Sequence, residues 1–399
     1  MITYAEALKI IEGLKLAFAA ERLDLMRCNG RLLAEDLVAR VPSPPFTNAA
    51  MDGFAVRREE ALRGELVVEG SLYARALRPE EIPVARAGSC VRIMTGALLP
   101  AWADTVIPVE QAELLDDDRR VRFTHVPEQG TNIRQQGEDF AQGTLVLKKG
   151  TRLDPERIMI AAAFGYRELD VLEQPHLQFF ATGDELAEPG EPLPPGAVYN
   201  SSKYFLLAAA QSLGYTGYRQ PPQATLTDDV HAAEKSLGEA ADTRSPTIIV
   251  TTGAVSAGEA DFIPRLATRL GFTTLFHKVA IRPGKPVFLA HKEQVLWLGL
   301  PGNAISTCVG WHFFARPLLS AVAGLPKAKK ATLILQNEVE KPEHLRCFYR
   351  AEVSGKKAWV AKRQASSHLA ASTTLESYVE LPEGVSRFPA ETPVEALIV

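Results

Sequence analysis

The sequence is poor in cysteine, has no long apolar run and carries little net charge, and each of these absences excludes a class of protein. Its four cysteines, Cys28, Cys90, Cys308 and Cys347, lie far apart without a C-x-x-C pair. This spacing argues against a disulfide scaffold or a structural zinc site and favours a reducing cytoplasm. No run of about 18 uncharged apolar residues is present, and the amino-terminal segment carries charges where a signal peptide needs an apolar run. We therefore expect neither membrane insertion nor secretion.

The charge balance and the missing catalytic motifs narrow the options further. Lys and Arg number 44 against 48 Asp and Glu, a net charge of −4, so we expect no basic field for nucleic acid. The eight histidines show no metal-ligand spacing, and the sequence contains no G-x-S-x-G, Walker A or G-x-G-x-x-G motif. Apolar residues make up 46% of the 399 residues, which suits about two to four folded domains.

Periodicity divides the chain into regions of different secondary structure. Residues 3–20 have the apolar spacing of an amphipathic helix, with Thr3 and Glu6 placed as a capping box. A proline-rich passage at 41–46 leads into short β-like runs over 51–146.

The second half of the chain has a different rhythm. Strands alternate with helices from about residue 176 to 323, which predicts a doubly wound, mostly parallel sheet with helices on both faces. A charged linker at 326–330 precedes short runs that predict a small β-barrel or sandwich.

The segment TTGAVSAGEAD at 251–261 stands between an apolar strand and a helix, where doubly wound sheets bind ligands. Gly253 and Gly258 would let backbone N–H groups approach an anion, and Ser256 adds a hydroxyl. The alternative is an ordinary strand-to-helix turn in which Asp261 caps the helix.

Two more loops belong to the same region of the predicted sheet. RPGKP at 282–286 places Arg282 and Lys285 on a proline-stiffened turn suited to an anion, or else it is a solvated basic loop. GLPGN at 299–303 either shapes the rim of a ligand site or starts a helix capped by Asn303.

Acidic residues mark two further places. TGDEL at 182–186 ends the first strand of the sheet, and its adjacent carboxylates suit magnesium. Asp228 and Asp229 open a helix, where capping is the alternative explanation. In the β-rich region, Asp52 and Thr95 each precede a glycine, and turn chemistry alone explains such pairs.

Taken in order, these motifs resemble those of the MoeA family, the molybdopterin molybdenumtransferases, to which the gephyrin E domain is related. The resemblance runs through segments between residues 43 and 303: SPPFTNAAMDGFAV, RIMTGALLP, GTNIRQQGEDF, TGDEL, TTGAVSAGEADF, RPGKP and GLPGN.

The resemblance implies an α/β multi-domain fold. It comprises a discontinuous elongated domain at 1–40 and 145–174, a β-rich insertion at 41–144, a doubly wound α/β molybdopterin-binding domain at 175–325 and a carboxyl-terminal β-barrel at 326–399. It also implies a homodimer whose active cleft combines the α/β domain of one subunit with the insertion of the other.

The implied reaction inserts molybdate into adenylylated molybdopterin, with Mg²⁺ as cofactor and AMP as a product. The implied catalytic residues are Asp261, Glu185, Asp228, Asp52, Asp139 and Thr95, with Glu185 and Asp228 also as metal ligands. The implied substrate-binding residues are Gly253, Ser256, Arg282, Lys285, Pro286, Pro301 and Arg134, with Arg346 and Ser367 resembling the barrel's contributors. Among these, we assign to Asp261 the orientation of a water or molybdate oxygen for attack on phosphorus. Expected partners are the molybdopterin adenylyltransferase and cofactor-accepting proteins.

The sequence departs from the family pattern at several positions. Ala254 stands where the family has glycine, Arg282 where it has lysine and Ala304 where it has proline, and Asn200-Ser201-Ser202 replaces Asp-Ser-Asn. Because arginine presents a planar fork and lysine a point charge, we expect an active enzyme with an altered pocket, and the choice between molybdate and tungstate stays open.

Two other functions compete with molybdenum insertion. A molybdopterin adenylyltransferase shares the Thr-Thr-Gly loop but is a single small domain. A non-catalytic, gephyrin-like scaffold that binds a peptide has no use for acids clustered around a basic loop.

Overall fold

The structure is a computed structural model that describes residues 1–84, 86–215, 225–256, 262–365 and 369–399. The chain forms two compact units, of which the first contains Met1–Glu21, Asn29–Leu32 and Val171–Val399, and the second Arg22–Cys28 and Leu33–Asp170. The division into four domains remains a prediction.

The described residues contain eight α-helices and 28 strands. The helices are α1 (Tyr4–Glu12), α2 (Arg58–Arg63), α3 (Pro155–Ala163), α4 (Ser201–Ser212), α5 (Val230–Ala241), α6 (Ile263–Arg269), α7 (Ala304–Gly310) and α8 (Arg316–Ala323). A π-helical segment, Trp311–Ala315, joins α7 to α8. Short 3₁₀ turns lie at Leu25–Arg27, Pro79–Glu81, Val109–Gln111 and Leu369–Ser372. No helix in these parts of the chain is both long and apolar enough to cross a membrane.

The strands are numbered in chain order. Those of the first half are β1 (Ala20–Asp24), β2 (Leu37–Val38), β3 (Asn48–Ala49), β4 (Gly53–Val56), β5 (Leu66–Leu72), β6 (Ser89–Ile93), β7 (Thr105–Pro108), β8 (Ala112–Leu115), β9 (Arg120–Phe123), β10 (Ile133–Arg134), β11 (Leu145–Leu147) and β12 (Glu168–Leu172). Those of the second half are β13 (His176–Thr182), β14 (Leu186–Ala187), β15 (Val198–Tyr199), β16 (Thr225–Leu226), β17 (Thr247–Thr252), β18 (Thr273–His277), β19 (Ile281–Arg282), β20 (Phe288–Lys292), β21 (Val295–Leu300), β22 (Lys330–Leu335), β23 (Val339–Glu340), β24 (Arg346–Ser354), β25 (Lys357–Val360), β26 (Ser377–Leu381), β27 (Arg387–Phe388) and β28 (Pro393–Ile398).

The first helix starts as predicted and ends early. The Thr3 hydroxyl accepts a hydrogen bond from the Glu6 N–H (3.2 Å), and the Glu6 carboxylate accepts one from the Thr3 N–H (2.7 Å), which confirms the capping box. The helix ends at Gly13, its carboxyl-terminal cap, so the prediction of helix to residue 20 was wrong. Glycine favours a helix end because it loses more backbone freedom in a helix than other residues do.

The central sheet of the first unit has the strand order β16-β13-β17-β21-β20-β18. The first four strands pair in parallel, and β20 pairs antiparallel with both of its neighbours, β21 and β18. Along β17, Ile248 and Val250 pack in the cluster that includes Leu206 of α4, whereas Ile249 packs with Leu237 of α5. Because successive side chains point to opposite faces, helices cover both faces, and the predicted doubly wound sheet is confirmed.

The carboxyl-terminal strands close into a barrel. Strands β24, β25, β22, β28 and β26 pair in that order, and β26 pairs back onto β24. The short β19 adds to the outside of β24 in parallel. Of the two predicted forms, barrel or sandwich, the structure therefore shows the barrel.

The second unit contains a six-stranded sheet with the order β7-β4-β6-β5-β9-β8. Phe54 and Val56 of β4 pack in one apolar cluster and Ala55 in another, so both faces of this strand are buried. A Cβ at Gly53 would collide with the carbonyl of Ile107 on β7, which explains the glycine that follows Asp52. The module is rich in short strands, as predicted.

Candidate active site

Three loops meet at the edge of the central sheet where its parallel strands end. The Thr182 hydroxyl, at the end of β13, donates a hydrogen bond to the Thr252 carbonyl at the end of β17 over 3.1 Å. Gly253 has φ +93°, and an added Cβ would lie 2.7 Å from the Thr182 carbonyl oxygen. An added Cβ on Gly302, after β21, would lie 3.3 Å from the Gly253 Cα. These glycines therefore let the three loops approach backbone to backbone.

A cavity of about 530 Å³ opens beside these loops, and we call it the edge cavity. Its lining comes from residues 254–256 after β17, 281–286 before β20, 301–303 and Ser306 after β21, and Leu345, Gln364 and Ala365 of the barrel. The structure thus brings five of the predicted substrate-binding residues into one cavity: Ser256, Arg282, Lys285, Pro286 and Pro301. Gly253 directly precedes the lining.

The charges in the edge cavity are of one sign. Arg282 and Lys285 are both exposed, and neither has a hydrogen bond or an ion pair to a side chain in the described ranges. No Asp or Glu is among the described residues that line the cavity. Two cations on this proline-stiffened turn, without a countercharge among the described lining residues, form a site for an anion.

Two residues that the sequence analysis missed hold this lining in place. His277 Nε2 donates a hydrogen bond to the Val255 carbonyl over 2.8 Å, just before Ser256. Gln364 is fixed by its own amide, which donates to the Arg350 carbonyl (2.9 Å) and accepts from the Arg350 N–H (3.0 Å). Neither carries a sequence signal, because each reaches the cavity only through tertiary folding.

Three carboxylates lie at the other end of the same sheet edge, and we call them the acidic group: Asp184, Glu185 and Asp228. Asp184 accepts a hydrogen bond from the Asp228 N–H over 3.0 Å. Burial, and then the neighbouring charges of Asp184 and Glu185, raise the pKa of Asp228 above its usual range. The capping predicted for this helix start is done by Asp229, which accepts from the N–H of His231 (2.8 Å), so Asp228 is left for another role.

The oxygen donors of the acidic group determine whether it can bind Mg²⁺. Carboxylate oxygens are the ligands that magnesium prefers, and a protein site of one or two carboxylates can be completed by water and phosphate oxygens. Among the described residues, no three His, Cys, Asp or Glu side chains are placed to enclose a metal ion. The donor type therefore fits an open site with few protein ligands, and Glu185 and Asp228 as metal ligands remain a prediction.

Three predicted residues are not seen at the edge cavity. Asp261 and Ser367 lie outside the described residues. Arg346 lies in β24, where its guanidinium pairs with Glu380 (2.6 Å) and Glu383 (2.7 Å), and it does not line the cavity. Its role in binding substrate remains a prediction, and the structure gives its side chain two barrel carboxylates as partners.

The remaining predicted residues belong to the second unit. Asp52 accepts hydrogen bonds from the N–H and the hydroxyl of Thr95, both over 2.7 Å, and these bonds hold the pKa of Asp52 below its usual range. Asp139 donates its N–H to the Ser43 carbonyl (2.9 Å). Arg134 lies in β10, which pairs with β3. Asp52, Thr95, Arg134 and Asp139 are all exposed.

Two family models match the chain. One, described as the MoeA N-terminal region (domain I and II), matches residues 2–165, and the other, described as a probable molybdopterin binding domain, matches residues 178–321. The edge cavity, the acidic group and the loops around them lie largely within the second match.

Curated relatives and solved structures agree with these matches. A molybdopterin molybdenumtransferase of Synechococcus elongatus is 36% identical over 99% of each chain. One of Haemophilus influenzae is 33% identical over 87% of this chain and 85% of its own. A crystal structure of a molybdopterin biosynthesis MoeA protein from Pyrococcus horikoshii has a TM-score of 0.81 and 26% identity, covering 100% of this chain and 99% of that chain.

Proposed function

The chain belongs to the MoeA family and is an enzyme of molybdenum cofactor biosynthesis, and we propose that it transfers molybdenum from molybdate to adenylylated molybdopterin with release of AMP. The curated relatives are named molybdopterin molybdenumtransferase, and the same activity is proposed for this chain.

The observation that carries the proposal is the positive charge that the described lining of the edge cavity carries. Molybdate is a dianionic oxyanion, and Arg282, Lys285 and the Ser256 hydroxyl supply two charges and an oxygen-directed donor in one cavity. Because the two cations have no countercharge among the described lining residues, binding an oxyanion breaks no existing ion pair there. Donors fixed before the ligand arrives stabilise charge at little reorganisation cost.

The acidic group serves the other end of the substrate. Burial first, and then the charges of Asp184 and Glu185, raise the pKa of Asp228, so a divalent cation bound beside these carboxylates would favour their ionised forms. We propose that Glu185 and Asp228 hold Mg²⁺, which when bound would neutralise the diphosphate of the substrate. The substrate then spans the sheet edge, with its diphosphate at the acidic group and its dithiolene sulfurs at the edge cavity.

In the reaction, the two dithiolene thiols bond to molybdenum as thiolates, and their two protons leave with one molybdate oxide as water. A water or a molybdate oxygen attacks phosphorus and cleaves the phosphoanhydride bond, which gives AMP and the phosphate monoester of the metal-loaded pterin. Arg282, Lys285 and Ser256 position the oxyanion in line with the sulfurs. We assign to Asp261 the orientation of a water or molybdate oxygen toward phosphorus.

We also propose that the enzyme works in the cytoplasm as a homodimer, with Asp52, Thr95, Arg134 and Asp139 serving the cleft of the partner subunit. A mixing experiment tests this arrangement. Lys285→Ala and Asp52→Asn, each inactive alone, should recover about a quarter of wild-type activity when refolded together, because half of the dimers then contain one intact cleft. No recovery in a mixture that forms heterodimers would contradict the shared cleft.

The function itself is tested by a single turnover with adenylylated molybdopterin. The wild type should release AMP only when molybdate is added, and Asp261→Asn should bind substrate but release AMP far more slowly. AMP release that is independent of molybdate, or an unchanged rate in Asp261→Asn, would contradict the proposed activity or that assignment, respectively. Formation of adenylylated product from ATP and molybdopterin would instead support the adenylyltransferase alternative.

A further inference from the structure

A second cavity of about 840 Å³ lies beside the edge cavity, on the barrel, and we call it the barrel cavity. Its lining is Arg282, Asn337, Glu338, Val339, Glu340, Lys341, Pro342, Tyr349, Val360, Ala361, Lys362, Gln364 and Ala365. Arg282, Gln364 and Ala365 line both cavities, so the two adjoin and one ligand can occupy both.

The two cavities differ in the sign of their charges. The edge cavity has cations and no carboxylate among its described lining residues, whereas the barrel cavity combines Arg282, Lys341 and Lys362 with Glu338 and Glu340. A simple dianion would be repelled by those two carboxylates. A lining of both signs instead suits a ligand that carries donors and acceptors side by side.

The carboxylates of the barrel cavity are not equivalent. Glu338 forms the ion pair with Arg387, over 2.7 Å. Glu340 lies opposite Arg387 in the pairing of β23 with β27 and interacts with its charge, but it forms no direct ion pair within the described residues. Glu338, just before β23, and Glu340, within it, are both exposed, while Val339 between them is buried in the barrel core. Glu340 is therefore the carboxylate that is available to a ligand.

The position of the barrel cavity relative to the sheet edge indicates which part of the substrate can reach it. The acidic group follows β13 and β16 at one side of the sheet, the edge cavity lies at β17 and β21, and Arg282 leads from there to the barrel through β19 and β24. A substrate with its diphosphate at the acidic group and its dithiolene at the edge cavity thus extends its remaining part, the pterin, toward the barrel cavity.

We propose that the barrel cavity binds the pterin ring of the substrate and that Glu340 accepts hydrogen bonds from its aminopyrimidinone edge. This inference rests on the proposed function. A pterin presents a ring N–H and an amino group next to each other, and a carboxylate can accept both with its two oxygens. The neighbouring ring carbonyl accepts hydrogen bonds, and the Lys362 ammonium, which also lines the cavity, can donate one to it.

The test compares Glu340→Gln with the matched variant Glu395→Gln, which changes an exposed carboxylate elsewhere on the barrel. In Glu340→Gln the KM for adenylylated molybdopterin should rise about tenfold or more, because an amide offers one acceptor where two are needed, while the KM for molybdate stays at its wild-type value. Glu395→Gln should leave both KM values unchanged, because Glu395 lies on β28 outside both cavities, where it accepts a hydrogen bond from the Thr332 hydroxyl over 2.8 Å. An unchanged KM for the pterin substrate in Glu340→Gln, or an equal rise in the KM for molybdate, would overturn the inference.

A second probe separates this inference from the proposed function. Fluorescence titration with 6-carboxypterin and with 6-carboxylumazine, which has an oxygen in place of the amino group, should show that the wild type prefers the pterin and that Glu340→Gln does not. Equal binding of the two probes by the wild type would overturn the inference even if AMP release proceeds. A preference that depends on Glu340 in an enzyme that releases no AMP would keep the inference and reject the proposed function.

Discussion

The two ends of the central sheet edge carry opposite charges, as far as the described part of the chain shows. At the edge cavity, Arg282 and Lys285 lack a countercharge among the described lining residues. At the acidic group, burial and then the charges of Asp184 and Glu185 raise the pKa of Asp228. Ion pairs between these opposite charges would stabilise the protein. Their separation along one sheet edge therefore indicates a site for a ligand that is anionic at one end and binds a cation at the other.

The largest effect is expected at the cationic end. Lys285→Ala should raise the KM for molybdate or lower the rate by roughly 100-fold, since it removes one of two charges that face the oxyanion. Lys292→Ala is a matched control, because Lys292 lies at the other end of β20 and donates to the Leu270 carbonyl (2.9 Å). Steady-state kinetics with varied molybdate measures both, and equal losses in the two variants would contradict the role of the edge cavity.

The close approach of the loops that follow β13 and β17 is tested by Gly253→Ala. At φ +93°, with the new Cβ 2.7 Å from the Thr182 carbonyl oxygen, we expect a loss of about 2 kcal/mol or more in the free energy of unfolding. In Gly238→Ala, within α5, the nearest contact of the new Cβ is a Leu270 methyl at 3.5 Å, so a gain of about 0.5–1 kcal/mol is expected. Urea denaturation checks both, and a neutral Gly253→Ala would refute the close backbone approach.

At the acidic end, Asp228→Asn should lower activity while slightly stabilising the fold. The folded-state pKa of Asp228 is raised, so its stabilising contribution is present at low pH and is lost as pH rises through that pKa. The variant should therefore be somewhat more stable than the wild type near pH 7, with the difference vanishing toward acid. Thermal unfolding at several pH values measures this, and a variant that is less stable at neutral pH would contradict the raised pKa of Asp228.

The smallest effect on stability is expected in the second unit, at Asp52, separately from the loss of activity expected for Asp52→Asn. Hydrogen bonds from Thr95 lower its folded-state pKa, so it stabilises the fold above its unfolded-state pKa, and that contribution is lost as pH falls through the folded-state value. Asp52→Asn should slightly lower the melting temperature near neutral pH, with no difference in strong acid. Thr95→Ser, which keeps both donors, should match the wild type. A pH-independent change in Asp52→Asn would exclude the ionised carboxylate as its cause.

The sequence predicts well what is set by local chemistry. The Thr3 and Glu6 capping box, the apolar β17 and the alternation of strands and helices follow from spacing and propensity, and the structure has them. The loops of the candidate site were predictable because Gly253 and Pro301 follow strands that end at the same edge of a parallel sheet.

What the sequence could not give depends on contacts between distant segments. His277 and Gln364 reach the edge cavity only when β18 and the barrel fold against the loops. Arg346 pairs with Glu380 and Glu383, which lie more than 30 residues further along the chain. No local pattern therefore indicates these partners. The barrel cavity likewise exists only because β19 joins β24.

The central claim is that the edge cavity holds the oxyanion, and anomalous diffraction from crystals soaked in molybdate tests it most directly. The account predicts a molybdenum peak within hydrogen-bond distance of Ser256 and Lys285, which is absent in Lys285→Ala crystals. A peak at another place in the wild type, with the edge cavity empty, would contradict it.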